Sequence, residues 1–149
     1  MSVSPSLIGR TYPPSAPYEV GREKIREFAD AANDPNPVYW DPNAARTLGY
    51  PDVIAPPTFA IVLTLQAGRQ VINDPELDID YSRVVHGEQR FVHARPIHAG
   101  DTLQVVVSID ELRTAAGNDL ITTRSDVRTV DGEDVLTAFS TIVVRGPER

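Results

Sequence analysis

The sequence contains no cysteine. Disulfides, thiolate metal sites and a cysteine nucleophile are therefore excluded. Such a chain fits a reducing cytosol, and a cytoplasmic location is expected. A bilayer-crossing stretch is also missing. The longest apolar run, Ile54 to Leu65, is too short and is broken by prolines. Met1 to Arg10 lacks a basic start followed by an apolar run, so no signal peptide is expected. Positive charge is in deficit. Lys and Arg number 14 against 21 Asp and Glu, giving a formal net charge of −7. A nucleic-acid binder needs a basic footprint, so that class is disfavoured, and anionic membranes are weakly disfavoured with it. A local basic patch for an acidic partner would have to come from Arg83, Arg90 and Arg95, which as scattered arginines more often form solvated surface. No nucleotide-binding glycine pattern is found, and no redox or nucleotide cofactor is expected. The three histidines, His86, His93 and His98, have no metal-ligand spacing, so no metal is expected either.

What is present fits one globular domain over residues 1–149, long enough to bury a real core. Residues 1–17 are rich in Ser and Pro and read as an irregular arm laid on that domain. Tyr18-Glu19-Val20 can form a short strand. From Arg22 to Ala32, apolar residues Ile25, Phe28, Ala29 and Ala32 recur at spacings of three and four, one face of an amphipathic helix. Asn33-Asp34-Pro35-Asn36-Pro37 stops it, because proline cannot continue a helix. Asp41 caps a second short helix to about Leu48, ended by Gly49. Ala60 to Val71 carries no charge until Arg69 and is apolar nearly all round. It predicts one long, central, buried helix starting near Pro57, where a missing N–H does no harm. Strands follow at Val84 to His93, Leu103 to Ile109, Leu120 to Val130 and Val135 to Val144, with Asp131-Gly132 as a hairpin turn. One helix wrapped by an antiparallel sheet makes an α+β domain whose open edges favour pairing with a second chain.

The informative segment is Asn33-Asp34-Pro35-Asn36-Pro37-Val38-Tyr39, with Ala45 six positions on. It resembles the signature of the MaoC-like, R-specific enoyl-thioester hydratases and dehydratases: Gly-Asp-x-Asn-Pro-apolar-His, five residues, then Ala or Ser. Asp34, Asn36, Pro37, Val38 and Ala45 match in register. Asn33 stands in place of the glycine and Tyr39 in place of the histidine. Ile54-Ala55-Pro56-Pro57-Thr58-Phe59 falls where that family begins its central helix, usually with His-Gly. Val84-Val85-His86-Gly87-Glu88-Gln89-Arg90-Phe91, followed by Arg95-Pro96-Ile97-His98-Ala99-Gly100-Asp101, resembles its strand–turn–strand. The opening Tyr18-Glu19-Val20-Gly21-Arg22-Glu23-Lys24-Ile25-Arg26-Glu27 is similar to actinobacterial substrate-binding subunits of (3R)-hydroxyacyl carrier-protein dehydratases.

The resemblance implies a single hotdog domain, an antiparallel sheet around a long helix. It implies a role in fatty-acid metabolism as a subunit of a hydro-lyase acting on an acyl thioester of acyl carrier protein or coenzyme A. A homologous partner, or a second copy, completes the assembly, and the partner carries the catalytic Asp and His. Dehydration takes an α-proton and protonates a leaving hydroxyl, so one acid and one base must work near neutral pH. Histidine can do either, whereas a tyrosine phenol is a poor base there. The degenerate dyad here is Asp34 with Tyr39, and Asn36 belongs to the same motif. Pro57, Thr58, Phe59, Ile61, Leu65, His86, Gly87 and Phe91 are the substrate-binding candidates.

Each candidate also has a plainer reading. Asp34 is a natural turn former in Asn-Asp-Pro. Asn36 can brace the loop with its amide, and Tyr39 and Trp40 can be packing aromatics. Thr58 can be simple helix-start polarity, and His86 a strand histidine satisfied by backbone. His93 and His98 are expected at the surface, and Gly100-Asp101 as a turn. Three functional readings remain open beside the split-subunit one. The chain could be a self-sufficient hydratase using Asp34 as base and Tyr39 as acid, or a non-catalytic acyl-thioester binding module. A hotdog thioesterase would need a carboxylate on the central helix, and Phe59 to Arg69 contains none.

Overall fold

The computed structural model describes residues 3–147, so Met1, Ser2, Glu148 and Arg149, including the first two residues of the N-terminal arm, lie outside it. Five strands form one antiparallel sheet: β1 (Tyr18–Glu19), β2 (Val84–His93), β3 (Thr102–Ala115), β4 (Asn118–Thr129) and β5 (Asp134–Val144). Their spatial order is β1-β3-β4-β5-β2. Strictly alternating burial runs along the first half of β3, which turns Leu103, Val105, Val107 and Ile109 toward the core. Ile121, Val127, Val135, Leu136 and Ala138 from β4 and β5 join them. Among the described residues no helix is long and apolar enough to cross a membrane.

The helices are α1 (Arg22–Ala31), α2 (Pro42–Thr47), α3 (Ile61–Ala67) and α4 (Arg69–Ile72). Helix α1 buries Ile25 and Ala29 and sets Phe28 edge-on against Phe59 at 5.5 Å between ring centres. Asp41 caps α2 by accepting from the Asn43 N–H at 2.9 Å. Gly49, just past its end, has φ +90°, the left-handed conformation glycine supplies without strain.

Three expectations need correction. The long helix is neither continuous nor buried all round. Residues 56–63 approach it through short three-residue bonds such as Phe59 N–H to the Pro56 carbonyl and Ile61 N–H to that of Thr58, a tight lead-in with Pro57 exposed on a turn. The helix then breaks at Gly68, where Val71 N–H bonds back three residues to the Gly68 carbonyl. A side chain at Gly68 would stand 3.2 Å from the Thr64 carbonyl. Leu65 is 57% exposed, because its side of the helix faces an open cavity. Second, β3 extends past Ile109 to Ala115 and turns tightly through Ala116 (φ +51°) and Gly117 (φ +78°) into β4. The pair of positive φ values is a two-residue hairpin whose twist matches the strands. Third, His98 is half-buried rather than on the surface, with Nδ1 2.8 Å from the Ala99 carbonyl.

The two sheet edges differ. Along β3, the N-terminal arm lies beside the strand: Gly9, Tyr12 and Ser15 donate N–H bonds to the carbonyls of Ile109, Val107 and Val105. Tyr12 Oη (2.6 Å) and Arg10 (2.8 Å) both donate to buried Asp74, clamping arm to helix end. At the other edge β2 pairs only with β5 among the described residues, and it carries exposed Val85 and Val92. A bulge at Gly87 bends it. A Cβ there would stand 3.1 Å from the Val143 side chain and 3.3 Å from the Thr141 carbonyl.

Candidate functional site

The motif loop is built by its own polar groups. Asn33 sits at φ +53°, a left-handed conformation that asparagine tolerates better than most residues. This explains why asparagine stands where the MaoC-like signature has glycine. Asp34 N–H closes α1 by bonding to the Ala29 carbonyl. Its Oδ1 accepts from Asn36 N–H at 3.2 Å, and Asn36 Oδ1 accepts from Val38 N–H at 3.2 Å, capping the short turn Pro37–Tyr39. Trp40 Nε1 donates to the Asp34 carbonyl. The loop is therefore held in shape by its own hydrogen bonds.

Tyr39 is buried. Burial pushes its phenol above the ordinary tyrosine value, and the nearby Asp34 charge pushes the same way. At neutral pH the phenol is a donor and not a base. No hydrogen bond joins it to Asp34 among the described residues.

A cavity of about 620 Å³ lies between α3–α4 and the sheet, within the range of small-molecule sites. Exposed Leu65, Arg69, Tyr81 and His86 mark its mouth, and buried Thr64, Val71, Ser125 and Ala138 its floor. Ile61, Leu65 and His86 thus line it. Phe59, fully buried, is core instead, because the lead-in turn points it at Phe28. Phe91 and Gly87 are outside the lining, as are Pro57 and Thr58, both exposed on the turn before α3. Asp34, Asn36 and Tyr39 are outside it too. Within one chain the motif loop and the cavity are separate features.

Sequence reasoning missed Gln89, Thr123, Ser125 and Ser140, which the strands bring onto the cavity wall. The signal was available for three of them: Thr123, Ser125 and Ser140 occupy the inward phase of β4 and β5, where apolar residues belong. Arg83, Arg90 and Arg95 do not converge. They are spread along and past β2, with Arg83 paired to Asp80, Arg90 stacked 4.2 Å over the Phe139 ring, and Arg95 forked onto Asp101 and Glu133.

The signature described as "FAS1-like, dehydratase domain region" matches residues 6–138. A UPF0336 protein of Saccharopolyspora erythraea is 57% identical over 146 residues, covering 98% of this chain and 94% of the relative. One from Streptomyces coelicolor is 55% identical over 148 residues, 99% of each chain. Among solved structures, one described as a MaoC-like dehydratase superposes with a TM-score of 0.87 at 37% identity over 95% of this chain. This chain spans only 43% of that longer one. The C-terminally truncated HadBC complex, a (3R)-hydroxyacyl-ACP dehydratase from Mycobacterium tuberculosis, gives a TM-score of 0.81 at 33% identity, covering 92% of this chain and 96% of that one. An (R)-hydratase from A. caviae shares the fold at 20% identity and a TM-score of 0.71, covering 97% of this chain and 100% of that one. With the helix-and-sheet topology described above, these likenesses establish that the chain belongs to the FAS1-like dehydratase-region family and has the MaoC-like hotdog fold.

Proposed function

We propose that this chain is the acyl-holding subunit of a (3R)-hydroxyacyl-thioester dehydratase or enoyl hydratase. A homologous partner supplies the Asp and His that do the proton transfers. One observation carries the reading: the residue in register with the family's histidine is Tyr39, whose phenol is held protonated, while the cavity lies apart from the motif loop. A motif loop whose histidine position holds a protonated phenol needs its base from elsewhere. The open β2 edge, with Val85 and Val92 exposed, is the surface we assign to the partner, since an unpaired strand recruits another. The HadBC likeness supports a two-chain assembly. Exposed Arg69 at the mouth suits the phosphate of a carrier arm, common to acyl carrier protein and coenzyme A.

In this assembly the acyl chain enters between α3 and the sheet, and the thioester stays at the mouth. The chain's own oxyanion donors are poor. Pro57 stands where the family's glycine N–H is expected and has no N–H, leaving that of Thr58. The test is hydration of crotonyl-coenzyme A and longer enoyl thioesters by the purified chain, alone and with a MaoC-like chain whose Asp-His motif is intact. Turnover only in the mixture is expected. Full turnover by the chain alone would instead favour Asp34 and Tyr39 as a self-sufficient pair, a reading to which their electrostatic coupling gives some ground.

A further inference from the structure

The cavity wall is not the uniform hydrocarbon surface that a plain alkyl chain would select. Strand register sets Gln89 of β2 opposite Ser140 of β5, and Ser140 opposite Thr123 of β4. These three form one transverse polar row on the cavity wall. Ser125 of β4 lies two residues further along the same face, and Thr64 of α3 also lines the cavity. Ser125 is 4% exposed and Thr64 8%. Among the described residues their hydroxyls and that of Ser140 form no hydrogen bond, and Thr123 Oγ1 reaches only the Ser140 carbonyl at a long 3.5 Å. Neither amide atom of Gln89 has a partner, though both are buried.

Buried polar groups without partners are rare, and each costs stability. Gln89, with both amide atoms buried and unpartnered, stands at one end of a polar row on the cavity wall, which makes the row a site suited to a polar guest. We propose that this row binds a hydroxyl carried on the distal part of the acyl chain, so that the substrate class is a chain-hydroxylated acyl thioester and not a plain alkyl one. The inference rests on the acyl-holding reading above.

The choice of a hydroxyl follows from Gln89. Its Nε2 needs an acceptor and its Oε1 a donor, and a hydroxyl is both at once, whereas a ketone satisfies only Nε2. The last torsion of glutamine is broad, so the amide can turn onto a guest. The distal position follows from depth. The carrier is too large to enter, so the thioester stays toward the exposed mouth while the buried row meets the remote chain.

The experiment measures calorimetric affinity of the whole chain for octanoyl-pantetheine and for analogues hydroxylated singly at each carbon of the distal half. Pantetheine is the part that both carriers share. One hydroxylated analogue is expected to bind about tenfold tighter than the plain thioester. Gln89→Leu, similar in length and apolar, should abolish that gap while tightening the plain probe. Ser125→Ala, which removes one oxygen and leaves the backbone alone, should shrink the gap and serves if Gln89→Leu does not fold. Equal affinity for plain and hydroxylated probes would overturn the inference, assign the row to bound water, and leave the acyl-holding reading standing. Survival of the gap in both variants would overturn the assignment to this row. Failure of every thioester to bind would overturn both readings together.

Discussion

Replacing the Tyr39 hydroxyl is the sharpest perturbation of the functional proposal. A tyrosine of ordinary pKa is ionised to about one part in 10³ at pH 7. Here burial and the Asp34 charge both push the phenol higher, so the population able to take a proton is smaller still. A neutral imidazole is abundant at the same pH, so loss of the base alone costs about three decades of rate. The missing Pro57 N–H removes one oxyanion donor, worth about 10²–10³ more. The isolated chain should therefore run about five decades or more below an intact dyad. Tyr39→Phe should leave the activity of the assembled complex within about twofold. Tyr39→His should restore only a trace to the isolated chain, because the oxyanion defect remains. Loss of enoyl absorbance on hydration of crotonyl-coenzyme A, followed by the pure chain and by the mixture, reads each case. Robust turnover by the pure chain that vanishes in Tyr39→Phe would refute the reasoning and make Tyr39 the catalytic acid.

Three further outcomes are expected. Ile61→Trp, at a half-buried lining position, should shorten the acyl chains the complex accepts, read as a shift in kcat/KM across a chain-length series. Leu65→Trp, at the exposed mouth, should do so less. Asp74→Ala should cost about 1–3 kcal/mol in denaturant unfolding, since it strips partners from Tyr12 and Arg10 and frees the arm. The hydrogen bond from Tyr12, then that from Arg10, holds the Asp74 carboxyl below its ordinary value against the opposing effect of burial. Its contribution is therefore present above the unfolded value of about 3.9 and fades as pH falls through the lower folded value, so acid unfolding of the Asp74→Ala variant should be shallower there. Light scattering at micromolar concentration should give a dimer or larger, and Val92→Lys on the exposed β2 edge should weaken it. A strict monomer for the unmodified chain, with or without the catalytic partner, would count against pairing through β2.

Local chemistry made much of this protein legible from its residues. The spacing of Ile25, Phe28 and Ala29 marked α1. Asp41 and Gly49 bracketed α2, runs of strand-forming residues placed β2 to β5, and Asp131-Gly132 marked a turn. These signals depend on neighbours in sequence, which is why they can be read there. The motif from Asn33 to Tyr39 was visible for the same reason, since its bonds run between residues two apart. The helix break at Gly68 was not legible, because an apolar run does not report that one face will border a cavity. Nor was the Ala116-Gly117 hairpin, which lacks the usual Asn-Gly or Asp-Gly pair. The cavity wall was decided by tertiary structure alone. Phe59 and Ile61 stand two residues apart in an apolar run, yet the lead-in turn sends one into the core and the other onto the cavity. Gln89, Thr123 and Ser140 are distant in sequence and meet only because strand register aligns them. Residue identities alone show which chemistry the chain lacks, a cysteine and a histidine at the motif. The fold decided where the remaining polar groups converge, because convergence across a sheet depends on pairing register, which no local pattern encodes.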